Sequence, residues 1–80
     1  MSEEVTVIAI GTSIESNKGL VLACKPSIYD NATVVLCYLA HNTYTPFVVH
    51  TYMEESGICV TGDYARTIQE AVSMYDNRSR

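Results

Sequence analysis

The chain has 80 residues, nine acidic against five basic, for a formal net charge of −4. That length holds one domain with a thin core, and the scattered cations Lys18, Lys25, Arg66, Arg78 and Arg80 exclude affinity for nucleic acid built on clustered phosphate contacts. Three cysteines, an odd number, argue against a secreted disulfide framework, and the acidic start Met-Ser-Glu-Glu lacks the basic stretch of a signal peptide, so a cytoplasmic location away from any membrane is expected.

Val5–Ile10 is β-branched and nearly continuous in apolarity, and predicts a first strand, with Ile14 extending it or anchoring the loop. Leu20–Lys25 predicts a second strand, stopped at Pro26, and Asp30-Asn31 then marks a turn. A helix over residues 13–24 is the alternative, broken by Asn17-Lys18-Gly19. In Thr33–Ala40 both alternating sets are apolar, Val35, Cys37 and Leu39 against Val34, Leu36, Tyr38 and Ala40, which predicts a central strand covered on both faces. Phe47–Met53 alternates as a fourth strand, with Val48, His50 and Tyr52 as its more polar side.

Glu54-Glu-Ser-Gly57 predicts a hairpin into a short strand Ile58–Thr61, followed by a glycine turn at Gly62. Thr67 and Glu70 form a capping box, and Ile68, Ala71, Val72 and Tyr75 follow as one apolar helical stripe with Met74 off it. Arg78 and Arg80 would favour the negative end of that helix. The fold class is therefore α+β: a single domain over 1–80, an antiparallel meander of four or five strands with one C-terminal helix on one face. Since one helix covers one face, a second copy is expected on the other, in a homodimer.

The chemistry-bearing residues form no catalytic or metal-binding motif. The cysteines at 24, 37 and 59 are too widely spaced for a zinc knuckle, and no cofactor or metal is expected. Cys37 and Cys59 fall in apolar strand patterns and should be shielded, while Cys24 stands beside Lys25. A thiol enzyme using Cys24 with His41 or His50 as base is a remote alternative. Gly11 to Gly19 is no phosphate loop, because Lys18 precedes its glycine and a strand follows.

Six tyrosines in 80 residues exceed ordinary usage, and tyrosine suits surfaces that are apolar at one end and wet at the other. Tyr44 and Tyr52 have no obvious core role and lie near Glu54 and Glu55, so these four are the expected partner-binding residues. The segment from Phe47-Val-Val-His-Thr-Tyr through Gly62-Asp-Tyr64 to Thr67-Ile-Gln-Glu-Ala71 and Arg78 resembles the ending of small proteins from phages and mobile elements that carry no assigned activity. The resemblance implies an accessory or inhibitory protein acting on a host factor, such as an anti-CRISPR. A non-enzymatic protein-binding module, with a basic or nucleic-acid-binding host protein as partner, is the leading expectation. The alternative is a small-molecule binder using His41, His50 and Tyr44 at a dimer interface.

Overall fold

A computed structural model describes residues 9–78. They form five strands and one helix: β1 Ser13–Ile14, β2 Gly19–Pro26, β3 Ala32–Tyr38, β4 Phe47–Met53, β5 Ile58–Ala65 and α1 Ile68–Asp76. The sheet runs in chain order, every neighbour antiparallel, as expected for a meander with a C-terminal helix packed on it. Of the strand expected at Val5–Ile10, residues 5–8 lie outside the described residues. Ala9 and Ile10 belong instead to a turn closed by the Thr12 amide donating to the Ala9 carbonyl at 3.0 Å.

β3 is buried on both faces, as its doubly apolar pattern requires. On the helix side Val34 and Leu36 meet Val49, Ala65 and Ala71, with Leu22, Phe47, Met74 and Tyr75 packed around them. On the other side Val35, Cys37 and Leu39 meet Ile14, Val21, Val48 and Tyr52. The β1–β2 turn folds over this second face, so that Asn17 reaches His50 on β4 and Ser16 reaches Cys59 on β5. The premise for a second copy, a sheet face left bare, therefore fails: Val35, Cys37 and Val48 are fully buried within one chain.

The helix is capped by Thr67, whose Oγ1 accepts from the Glu70 amide at 3.2 Å. The return bond of the expected box is displaced by one residue, since Glu70 Oε1 accepts from the amide of Arg66 and not from that of Thr67. The expected apolar stripe is rotated as well. Ala71 is the residue buried against the sheet, flanked by Met74 and Tyr75, while Ile68 and Val72 remain 40% and 42% exposed. A small side chain at 71 lets the helix backbone approach the sheet, which tips the larger residues at 68 and 72 toward its rim.

β5 also departs from expectation. It continues through Gly62 to Ala65 without turning, and the pairing with β4 slips between Val49 and Thr51, so Thr61 and Gly62 form a bulge opposite His50. The β4–β5 turn does end on a glycine at positive φ, Gly57 at 73°.

Candidate functional site

Glycine and aspartate inside a strand weaken its ladder, and here they mark the place where the helix end is tied to the sheet. Thr61 sits at φ 49°, a left-handed conformation that costs a β-branched residue energy unless its surroundings hold it. Arg78, just past the end of α1, supplies that hold. Its Nη2 donates to the Thr61 carbonyl and to Thr61 Oγ1, both at 2.6 Å, and to Thr51 Oγ1 at 2.9 Å. Its Nη1 donates to the Val49 carbonyl and to Asp63 Oδ2, both at 3.0 Å. The planar fork of a guanidinium is what allows one side chain to satisfy acceptors on two strands at once. The expected role of Arg78 at the helix dipole is thus replaced by a clamp on the bulge. Lys25 takes the dipole position, its Nζ donating to the Tyr75 carbonyl at 2.7 Å and lying 4.7 Å from the Tyr75 ring centroid. Arg80 lies outside the described residues.

Behind the bulge, on the opposite face, stands His50. Gly62 has no side chain because the imidazole occupies the space: a Cβ there would overlap Nε2 of His50. Asn17 Oδ1 accepts from the Gly19 amide at 2.8 Å, which leaves its Nδ2 to donate to His50 Nδ1 at 3.2 Å. Nδ1 is then an acceptor and the ring proton resides on Nε2. Burial first, and the Arg78 charge second, hold the His50 pKa below its ordinary 6.5, with Asp63 opposing. The ring of Tyr64 meets it edge-on, 6.0 Å between centroids.

In front of the bulge, between α1, β5 and the β2–β3 loop, lies an open groove of about 800 Å³. Thr61, Gly62 and Asp63 line it from the sheet, Ser73, Met74, Asn77 and Arg78 from the helix end, and Ile28 and Tyr29 from the loop. Ile28 and Tyr29 are 65% and 52% exposed, an unusual placing for two adjacent large apolar side chains. Arg78 is the one cation among the lining residues and its side chain is only 10% exposed, whereas that of Asp63 is 61% exposed. The groove therefore offers a ligand a mixed surface, apolar at Ile28, Tyr29 and Met74 and polar at Thr61, Ser73 and Asn77, with Asp63 as its accessible charge.

None of the four expected contact residues lines this groove. Tyr52 is not a surface residue: it is 6% exposed and packed with Val35, Val48 and Cys59, because its side of β4 is covered by the β1–β2 turn. Tyr44 is highly exposed in the β3–β4 connection, with the Arg66 guanidinium 5.1 Å from its ring centroid. Glu54 and Glu55 follow the far end of β4, so a strand of seven residues, about 23 Å, separates them from Tyr44. Glu54 accepts from Thr33 Oγ1 at 2.9 Å and borders a smaller depression of about 280 Å³ with Cys24, Lys25 and Pro26. The ligand trio is not assembled either, since His50 is buried against Gly62 while His41 and Tyr44 lie exposed in the connection.

The thiols sit against the face opposite the helix. Cys24, Val35 and His50 are aligned across β2, β3 and β4, which puts Cys24 two strand spacings, about 10 Å, from the imidazole and beyond proton-transfer reach. Burial pushes the Cys37 thiol up to about 11 and raises that of Cys59 too. Cys37 is fully buried as expected, whereas Cys59 is only partly shielded. Among the described residues no group of three His, Cys, Asp or Glu side chains converges as a metal site, and no helix is long and apolar enough to cross a membrane. No protein-family model, no curated protein and no solved structure matches the chain.

The groove residues were partly within reach of sequence reasoning. Ile28-Tyr29 stands between Ser27 and Asp30-Asn31, so two large apolar residues in a turn were bound to be exposed. Arg78 falls seven residues after Ala71, on the same helical face, which places it toward the sheet.

Proposed function

We propose that the chain is a non-enzymatic protein-binding module whose contact surface is the groove between α1, β5 and the β2–β3 loop. The observation that carries this reading is the pair Ile28 and Tyr29, exposed on the rim of a preorganised cleft whose floor is fixed by Arg78. Exposed aromatic and aliphatic anchors around a rigid depression are the composition of binding hot spots. Two of its reactive groups, by contrast, are enclosed: Cys37 is buried with a raised pKa, and His50 is fixed between Asn17 and Gly62. The net charge of −4 and the accessible Asp63 favour a basic partner surface, such as that of a nucleic-acid-binding protein. The sequence resemblance gives the setting we propose, an accessory or inhibitory protein of a phage or mobile element acting on a host complex.

A photo-crosslinking side chain placed at Tyr29 tests the site, with one at Glu15, in the exposed β1–β2 turn, as control. In extract from the native host, position 29 is expected to give a saturable one-to-one product that Ile28→Asp abolishes. No product at 29, or an equal product from position 15, would remove the groove as the contact surface.

A further inference from the structure

Resting on that reading, we propose that the groove takes an extended segment of the partner, which pairs with the outer edge of β5 and sets a Lys or Arg side chain against Asp63. Sheet edges are usually blunted by shortness, charge, proline or a bulge, because their unpaired backbone groups recruit other strands. The β1 edge is two residues long. Among the described residues β5 is the other edge of the sheet, and it runs for eight residues without proline or lysine. Its bulge at Thr61-Gly62 and its one charge, Asp63, lie beyond residues 58–60, which pair regularly with β4 and are the unguarded part of the edge.

The side chains it presents fit a strand-like ligand. Ile58 and Val60 stand opposite Met53 and Thr51 in register, and Asp63 opposite Val49, so all three project on the helix side of the sheet. Ile58 and Val60 are 50% and 40% exposed. A strand added to β5 turns every second side chain toward that same side, and so into the groove with Asp63, Ile28 and Tyr29. The recognised pattern is then a basic residue with an apolar residue two positions away. Arg78 holds the bulge that carries Asp63, so little of the edge has to be ordered on binding. A second copy pairing through its own β5 is a poorer occupant, because that strand has no basic side chain to meet Asp63.

Selection of a random octapeptide display library on the full chain tests the proposal. Enriched peptides are expected to share a Lys or Arg two positions from an apolar residue, and one of them should perturb the β5 amides in a heteronuclear NMR titration. Changing its basic residue to Met, which leaves the protein untouched, should weaken binding at least about tenfold, as should Asp63→Asn in the folded protein. Enrichment of peptides without a basic residue, a footprint away from β5, or self-association through β5 alone would overturn the proposal. Failure of every peptide while the crosslink at position 29 persists would overturn the extended-segment mode and leave the protein-binding reading standing; loss of both would sink the two together.

Discussion

At the scale of single residues, His50 makes the fold sensitive to pH. Its imidazole accepts at Nδ1 from Asn17 and lies close against Gly62, filling the space a Cβ there would need. The groups that bear on its titration are the Arg78 guanidinium and the Asp63 carboxylate, with burial as the largest influence. The folded pKa lies below 6.5, so as pH falls through that value the unfolded chain takes up a proton that the folded chain refuses. Stability is therefore complete above the unfolded pKa and declines as pH drops toward the folded one. The urea midpoint is expected to be lower at about pH 5.5 than at about pH 7.5, and the difference should shrink in His50→Gln. An unchanged or higher midpoint at the lower pH would show that the ring is charged in the folded state.

At the scale of elements, β2, β3 and β4 were legible because their patterns report burial directly, whereas the two-residue β1, set among turn formers, is too short to leave a pattern. The doubly apolar run of β3 identified the central strand, and Thr67 with Glu70 identified the helix start. Two further features were not legible, each for a physical reason. Thr61-Gly-Asp63 has turn chemistry, and a bulge uses the same residues for the same left-handed backbone, so the sequence alone does not separate a chain that turns from one that kinks and continues. The helix face was misjudged because counting large apolar residues favours Ile68 and Val72, whereas close approach to the sheet is made by a small residue, Ala71, and by the polar Arg78. Mutational costs should follow the structure. Ile68→Ala and Val72→Ala are each expected to cost about 1 kcal/mol or less, since part of each side chain is already in water and alanine favours helix. Ala71→Leu should cost about 1–3 kcal/mol by forcing the helix away from Val34, Leu36 and Val49. Denaturant unfolding that ranked these variants in the opposite order would place the stripe, and not Ala71, against the sheet.

At the scale of the whole molecule, an 80-residue chain with two-sided apolar strands must cover both faces of its sheet, and it does so with unequal elements. A nine-residue helix takes one face, and the turn between β1 and β2 reaches over the other, carrying Asn17 to His50 and Ser16 to Cys59. The single chain thereby buries Val21, Val35, Cys37 and Val48 completely, and a second copy is not needed to finish the core. Large apolar side chains remain exposed on several surfaces, and those on the helix side of the sheet include Ile28, Tyr29, Ile58 and Val60. On the proposed reading, stability and recognition belong to different surfaces, and mass action distinguishes them. Were a second copy part of the core, unfolding would release it and the urea midpoint would rise with protein concentration. The midpoint is expected to stay constant over about a hundredfold range of concentration, and Ile28→Asp on the groove rim should leave it nearly unchanged while abolishing the crosslink at position 29. A midpoint that climbs with concentration, and that Ile28→Asp lowers, would show that the groove is the seam of an obligate dimer.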